Sequence, residues 1–416
     1  MDASHLEAVP WIRLDANGIL TRVPMRLAVI CHPTYGGSGV VATELATELA
    51  RLGHELHLIS YKRPFRYDPL EPNIYFHQVD VSDYPLFNHP PYSLNLTNKI
   101  VQLVEEHGVE VVHSHYAIPH AQAAWMAREV LRDERGLDVK LACTLHGTDI
   151  TLVGVQQSFY ELTRFTIQRQ DLLTAPSAWL AEATERDFDV APGSVQVIPN
   201  FVDLQRFSPS ADATIRRQLR AEDAFIISHV SNFRPVKRVQ DVVSGFAVLR
   251  RQLPAILVLV GDGPELEGAL ELAKELGVRD DLRVLGKMND LEKIYQASDL
   301  FLLPSRAESF GLSALEAQAC GVPVIGYRAG GLPEVVVHGE TGVLCPEGQD
   351  VCLGSLAAEL LHDDLRLAAM KKAARVNAER FAIPKVLESY ERALCRLTEG
   401  GADACSTDDG EVAAAG

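Results

Sequence analysis

The chain has 416 residues, of which 47% are hydrophobic and 23% charged, and its formal net charge is −17. This length exceeds that of one ordinary hydrophobic core and favours two domains. The negative charge argues against nucleic acid and anionic membranes as partners, because their phosphates would be repelled. The sequence contains no apolar run of about 18 residues, so no transmembrane helix is expected.

Regular structure is predicted from Arg26 onward. Residues 1–24 lack the basic and apolar stretches of a signal peptide, and we interpret them as an N-terminal extension of unknown role. RLAVI is typical of a buried strand, GGSG of a tight loop, VVATELATELARLG of an amphipathic helix and LHLIS of a second strand. This succession predicts a parallel βαβ unit. Further strands are expected in VEVVHSHY, KLACTLHGTD, DLLTAPS and VQVIPN.

A second series of the same kind starts near Ala224. Strands are predicted in FIISHVS, AILVLVG, LRVLG, DLFLLPS and VPVIGY, and helices over 239–252 and 265–276. The sequence therefore predicts an α/β protein in which two doubly wound, Rossmann-like domains face a cleft, with a hinge near 198–209.

Five segments follow from these patterns. They are an extension over 1–24, an N-terminal domain over 25–200, a C-terminal domain over 201–384, a helix over 385–399 that packs back across the hinge, and a disordered acidic tail over 400–416. The seven cysteines are odd in number and include no C-x-x-C pair, which predicts reduced thiols in a cytoplasmic protein.

Two carboxylates, Glu308 and Glu316, flank the start of a predicted helix after the strand DLFLLPS. The helix is expected to begin near Gly311, so the amides of Phe310, Gly311 and Leu312 would point at an anion. Two acids beside such a site could hold sugar hydroxyls on either side of a phosphate. The alternative is that Glu308 only caps the helix and Glu316 lies on its solvent-exposed face.

Basic residues follow the first strand of the second domain. Arg234, Lys237 and Arg238 lie at a strand end, where an arginine fork and a lysine charge suit a diphosphate. The alternative is a solvated basic cluster. The turns VGDGPE and AGGLPEVV also lead from strands into helices.

The N-terminal glycines permit a dinucleotide site but do not favour it. Gly37, Gly39 and Ala42 match the relaxed fingerprint, yet the second strand ends in Ser60-Tyr61-Lys62 and offers no acid for a ribose. We expect Gly37 to contribute to a loop that binds another anionic ligand.

A metal site is not expected. The histidines of VVHSHYAIPH and TLHGTD have no clustered cysteine or carboxylate in the sequence to complete a ligand set. No G-x-S-x-G or Walker loop supports a hydrolase or ATPase.

With these residues in view, the chain resembles the retaining glycosyltransferase family 4, whose members have the GT-B fold. The segment ESFGLSALEAQACGVPVIGYRAGGLPEVV is similar to the E-x7-E signature of that family, and the resemblance extends from about Arg26 to Leu397. Within the family, the chain is most similar to the members that glycosylate L-malate in bacillithiol biosynthesis. That similarity is carried by CHPTYGGSGVVATELA, PFR, NIYFHQV, HYAIPHA, TLHGTDIT and SNFRPVKRVQDV.

The resemblance implies a hexosyltransferase that moves N-acetylglucosamine from UDP-N-acetylglucosamine to L-malate, with no cofactor, and that forms a homo-oligomer. Roles carried over from the family can be stated for each group of residues. For the donor, Glu316 would hold the ribose hydroxyls, Glu308 would contact the transferred sugar, and the amides of Phe310 to Leu312 would hold sugar hydroxyls and phosphate. Arg234 and Lys237 would neutralise the diphosphate, and His146 would face the sugar near the reacting carbon. The residues near the malate would be Ser38, Tyr116 and Thr144.

Two rival functions remain at this point. A family 4 enzyme could act on an inositol phosphate or a lipid, although the sequence lacks a basic amphipathic helix for membrane docking. The second rival is a nucleotide-binding protein that is non-catalytic or dehydrogenase-like. Retention could proceed by double displacement or by same-face attack, and since no carboxylate is evident for a covalent intermediate, same-face attack is favoured.

Overall fold

The computed structural model describes residues 12–14, 20–34, 36–80 and 91–398. The predicted acidic tail over 400–416 and most of the N-terminal extension lie outside these residues. The extension contributes a short antiparallel hairpin, β1 (Ile12–Leu14) and β2 (Leu20–Arg22), which was not predicted.

The first domain is a seven-stranded parallel sheet. Its strands are β3 (Arg26–Ile30), β4 (Glu55–Ser60), β5 (Ile74–Gln78), β6 (Val111–His115), β7 (Lys140–Thr144), β8 (Leu172–Ala175) and β9 (Val195–Val197). Their spatial order is β5-β4-β3-β6-β7-β8-β9. The helices α1 (Ser38–Arg51), α2 (Tyr92–His107), α3 (Gln122–Arg135), α4 (Tyr160–Ile167) and α5 (Ala178–Asp187) connect them. Central strands such as β3 and β6 are almost wholly buried because helices cover both faces of the sheet, whereas the edge strands β5 and β9 are partly exposed.

The second domain repeats this arrangement with six parallel strands. They are β10 (Phe225–Val230), β11 (Ala255–Val260), β12 (Leu282–Gly286), β13 (Leu300–Leu303), β14 (Val324–Tyr327) and β15 (Gly342–Cys345), in the order β12-β11-β10-β13-β14-β15. Its helices are α6 (Thr214–Gln218), α7 (Val239–Arg250), α8 (Leu266–Glu275), α9 (Leu291–Ala297), α10 (Leu312–Ala319), α11 (Leu332–Val335), α12 (Asp350–His362) and α13 (Asp364–Ala378). The prediction of two doubly wound α/β domains is confirmed.

The strand orders explain where a ligand can bind. In each domain, successive strands are first added on one side of the first strand and later ones on its other side. The change of side, or switch point, lies between β3 and β6 in one domain and between β10 and β13 in the other. Ligands of open α/β sheets bind at such switch points, beyond the carboxyl ends of the strands. The loops that follow these four strands contain most of the predicted site residues.

The last helix, α14 (Ile383–Thr398), packs on the first domain although it follows the second. Its apolar face, including Leu387, Tyr390 and Leu394, joins the core cluster that contains Leu27 and Val29 of β3. The chain passes from one domain to the other twice. The two connecting segments are hydrogen-bonded to each other, since the amide of Val202 in the first donates to the carbonyl of Phe381 in the second at 3.0 Å. Within the described residues, no helix is both long enough and apolar enough to cross a bilayer.

Candidate active site

The loop after β13 holds Glu308 in a buried position, 7% exposed. Its Oε1 accepts hydrogen bonds from Lys237 Nζ at 2.5 Å and from Ser305 Oγ at 2.7 Å. Lys237 belongs to the loop after β10, the strand that pairs with β13. Two predicted site residues 71 positions apart are therefore in direct contact. Glu308 does not cap α10, since the N-cap residue is Gly311.

The start of α10 has the geometry of an anion site. Gly311 has φ 100°, a left-handed conformation that favours glycine. In the first hydrogen bond of the helix, the amide of Leu315 donates to the carbonyl of Gly311 at 3.0 Å. The amides of Phe310 to Leu312 precede that bond, at the positive end of the helix dipole. The Phe310 side chain is buried against Phe381, so its amide is the group that can meet a ligand.

Glu316 lies in the second turn of α10, half-buried rather than on an exposed face. Its Oε2 accepts a hydrogen bond from Tyr295 at 2.9 Å. Burial raises the pKa of the Glu316 carboxyl to about 7, and the charges of Arg206 and Arg66 oppose that rise. Arg66 comes from the loop after β4, so both domains contribute to the electrostatics around this carboxylate.

The basic loop after β10 turns sharply at Phe233 and Arg238, whose φ angles are 38° and 53°. The amide of Arg306 donates to Val236 at 2.8 Å and ties this loop to the one that carries Glu308. Arg234 is exposed, and its positive charge lowers the pKa of Tyr116 in the other domain, against the rise that burial causes. Arg234 and Lys237 thus lie between the two switch points, where a diphosphate would need them.

The turn VGDGPE packs against this basic loop. A Cβ on Gly261 would lie 1.8 Å from the carbonyl oxygen of Ser231, and one on Gly263 would lie 2.0 Å from that of Asn232. These glycines are therefore required for close packing of two loops.

In the first domain, Gly37 and Ser38 open α1 opposite the basic loop. Gly37 is the N-cap residue with φ 61°, and Ser38 Oγ donates to the hydroxyl of Tyr116 at 2.9 Å. Burial raises the pKa of Tyr116, so its hydroxyl stays protonated and can donate to a carboxylate. The structure brings this predicted pair together at the mouth of the first sheet.

The ring of His146 contacts the rings of His115 and Tyr116, with centroid distances of 5.1 Å to each. Its Nε2 lies 2.8 Å from His115 Nδ1. Burial lowers the pKa of His146 to about 3, so the ring is neutral near pH 7. It can orient a substrate by hydrogen bonding, but it is not a source of positive charge.

Asp149 positions this histidine, and sequence reasoning did not single it out. Its carboxylate accepts from the amides of His146 at 3.1 Å, Gly147 at 3.0 Å and Ala117 at 3.0 Å. Burial raises its pKa to about 6, against the lowering effect of these bonds. The sequence indicates this contact only through the position of Asp149, three residues after His146 in HGTD. Aspartate in a short polar loop often accepts hydrogen bonds from nearby backbone amides.

Thr144 is placed differently from the prediction. Its hydroxyl is fully buried and bonds to His113 Nε2 at 2.7 Å and to Thr174 Oγ1 at 2.7 Å. The side chain therefore faces the interior of the domain rather than the cleft, because residues of a strand alternate between its two faces. The structure does not bring this hydroxyl to the rest of the site.

The two domains touch beside the site. Ser177 Oγ donates to the carbonyl of Ser309 at 2.6 Å, and Glu334 accepts from the amides of Ala178 and Trp179 at 2.9 and 3.0 Å. A carboxylate of one domain thus binds the N-terminus of helix α5 in the other, where the helix dipole favours it. Glu334 was not predicted to act across the cleft.

Replacing Gly147 by alanine is expected to separate these loops. A Cβ at this position would lie 2.7 Å from Cβ of Ser309, and φ is +96°. We expect a fall in kcat/KM of about 10-fold, because misplacing a catalytic site by about 1 Å can cost about 100-fold and this displacement should be smaller. Gly193→Ala is the matched control, because Gly193 has φ +78° with open space around it. Equal effects of the two changes on steady-state kinetics would contradict the importance of the contact.

Comparison with known proteins agrees with this geometry. Residues 35–206 match the family model described as Glycosyltransferase Family 4, and residues 211–377 match Glycosyl transferases group 1. The chain is 42% identical over 370 residues to the N-acetyl-alpha-D-glucosaminyl L-malate synthase of Bacillus anthracis, covering 88% of this chain and 96% of that protein. It is 30% identical to the D-inositol 3-phosphate glycosyltransferase of Saccharomonospora viridis, covering 89% and 95%.

Solved structures show the same fold at low identity. An Anabaena protein crystallised with UDP and glucose has a TM-score of 0.74 at 21% identity, covering 89% of this chain and 99% of its own. Sucrose-phosphate synthase from Thermosynechococcus elongatus has a TM-score of 0.76 at 22% identity, covering 91% and 100%. Together with the family models and the close relatives, these similarities show that the chain has the GT-B fold and belongs to glycosyltransferase family 4.

Proposed function

We propose that this chain transfers N-acetylglucosamine from UDP-N-acetylglucosamine to the hydroxyl of L-malate, with retention of configuration, as the first step of bacillithiol biosynthesis. One observation carries the proposal. The Glu308–Lys237 pair and the α10 N-terminus face Ser38, Tyr116 and His146 across the contact between the two switch points. The name of the 42% identical relative, an N-acetyl-alpha-D-glucosaminyl L-malate synthase, supports this transferred sugar and this acceptor.

In this proposal the second domain binds the donor. Glu316 accepts from the ribose hydroxyls and Glu308 from those of the sugar, while the α10 amides face the phosphates. Cleavage of the bond between C1 and oxygen leaves a diphosphate that gains negative charge. Arg234 and Lys237 stabilise that charge as it develops, and stabilisation of this kind is usually the largest single contribution to catalysis. Arg234, Lys237 and a helix N-terminus can together offset the charge of the diphosphate, so we propose that transfer needs neither metal nor cofactor.

The first domain binds the acceptor. Ser38, Tyr116 and neutral His146 offer polar groups for malate, whose hydroxyl attacks C1 from the face that the phosphate leaves. The departing phosphate oxygen takes the proton of that hydroxyl. Contact between the domains limits access of water and hence hydrolysis of the donor.

Location and assembly are part of the proposal. Free thiols are found at Cys31, Cys143, Cys320, Cys345 and Cys352, and all of them except Cys352 are buried, which supports a reducing, cytoplasmic compartment. The resemblance to the malate-specific members supports a homo-oligomer.

The acceptor can be tested by release of UDP from UDP-N-acetylglucosamine. We expect turnover with L-malate, none with succinate, which has both carboxylates but no hydroxyl, and no loss of rate when EDTA is added. D-inositol 3-phosphate belongs in the same panel, since a 30% identical relative is named for it. Activity with the inositol phosphate and none with malate would overturn the acceptor assignment, while a rate that collapses in EDTA would overturn metal independence.

A further inference from the structure

A cluster of histidines lies at the opposite end of the first sheet from the cleft. Glu55 and His57 are the first and third residues of β4, so they point to the same face of the sheet. His107, the last residue of α2, lies against them, and its ring centroid is 4.4 Å from that of His57. His77 of β5 completes the group. The cleft lies beyond the carboxyl ends of the strands, whereas this cluster lies near the amino end of β4.

The ligand atoms of Glu55, His57 and His107 lie within 4.8 Å of one another. Of these, His57 Nε2 and Glu55 Oε1 are 3.0 Å apart. Zinc binds imidazole nitrogens and carboxylate oxygens at about 2.0–2.2 Å in a tetrahedral arrangement. A modest rotation of His107 and Glu55 would be needed to bring all three atoms to such distances. Both side chains are free to rotate, since they are 38% and 42% exposed, while that of His57 is 1% exposed.

His77 supplies the outer contact that metal-binding histidines usually have. Its Nε2 lies 2.9 Å from His57 Nδ1. If His57 Nε2 binds an ion, its Nδ1–H donates to His77 and fixes both the tautomer and the orientation of the ring.

We propose that Glu55, His57 and His107 form a binding site for a divalent transition-metal ion of the Zn²⁺ class, with water in the fourth position. The ion would join the start of β4 to the end of α2. It binds the folded chain but not this arrangement in the unfolded chain, so it stabilises the first domain. Because the site is remote from the reacting groups, the ion takes no part in glycosyl transfer.

The test uses the full chain without an affinity tag, stripped of metal, and titrated with Zn²⁺ against a chromophoric chelator. We expect one equivalent to bind, at least 10-fold weaker binding in His107→Ala, and unchanged binding in His362→Ala. His362 is the matched control because it is also an exposed histidine at the last position of a helix, α12. Thermal unfolding without metal should be the same for all three proteins, and Zn²⁺ should raise the Tm of the wild type and of His362→Ala only.

Co²⁺ substitution separates this site from the cysteines. The visible spectrum should show four-coordinate Co²⁺ with nitrogen and oxygen ligands, without the near-ultraviolet charge-transfer band of a thiolate. Glu55→Gln is a second exposed variant and should also weaken binding. Wild-type affinity in His107→Ala, a thiolate band, or no binding at micromolar Zn²⁺ would each overturn the proposal.

Discussion

Replacing Glu308 by glutamine is expected to lower kcat by about 10³-fold, the upper range for removal of one preorganised electrostatic group. Glutamine has the same shape but no charge. It therefore loses the ion pair with Lys237 at 2.5 Å and the acceptor strength needed for the sugar hydroxyls. Lys237 is then free to leave the position in which it would meet the diphosphate. UDP release at saturating donor and malate measures the effect.

Two measurements make the result for Glu308 interpretable. Glu347→Gln is the control, because Glu347 is an exposed carboxylate of the same domain that pairs with Arg306 at 3.1 Å. Thermal unfolding of the Glu308 variant should show a folded protein, since Glu308 is buried and its loss could otherwise act through stability. Turnover equal to wild type would reject both the malate reaction and any other family 4 reaction at this site.

Replacing Glu316 by glutamine is expected to lower kcat/KM for the nucleotide sugar by about 10²-fold, the loss of one or two hydrogen bonds to a charged group. It should also remove a pH dependence. With a pKa of about 7, the wild-type carboxyl becomes a full acceptor for ribose hydroxyls only as the pH rises through 7. UDP-N-acetylglucosamine has a doubly esterified diphosphate that does not ionise near pH 7, so its affinity measured by calorimetry should increase from pH 6 to pH 8 in the wild type and stay flat in the variant.

The same shift predicts how stability depends on pH. Burial raises the pKa of Glu316 from 4.5 to about 7, so the folded chain binds more protons than the unfolded chain between these values. Stability contributed by this group consequently falls as the pH rises across that window. Glutamine removes the effect and keeps an oxygen for Tyr295. At pH 8 the variant should be more stable than wild type by about 1–3 kcal/mol in urea unfolding. A variant less stable at pH 8 would contradict the assigned shift.

The positions of most site residues followed from sequence because parallel strands are easy to recognise. AILVLV and RLAVI are continuous apolar runs, as expected for strands covered on both faces, and polar residues mark where each run ends. The helix predicted over 239–252 is present as Val239–Arg250, and that over 265–276 as Leu266–Glu275. Arg234, Lys237 and Glu308 were thereby assigned to loops on one edge of one sheet.

Partners separated in sequence could not be derived in this way. Three contacts depend on which loops become neighbours in the fold. They are the ion pair of Lys237 with Glu308, the hydrogen bond from the amide of His146 to Asp149, and the hydrogen bonds that Glu334 accepts from the other domain. The orientation of Thr144 depends on the exact register at the end of a strand. The cluster of Glu55, His57 and His107 joins two segments about 50 residues apart with no recognisable spacing.

The sequence by itself determined two parallel α/β domains and the family to which they belong, because local apolar periodicity and short motifs are properties of contiguous residues. Only the tertiary structure decided which side chains meet, which are buried and how burial shifts their charge. Glu316 illustrates the difference. Its position in the E-x7-E motif is evident from the sequence, but its raised pKa arises from the packing that removes the carboxyl from water.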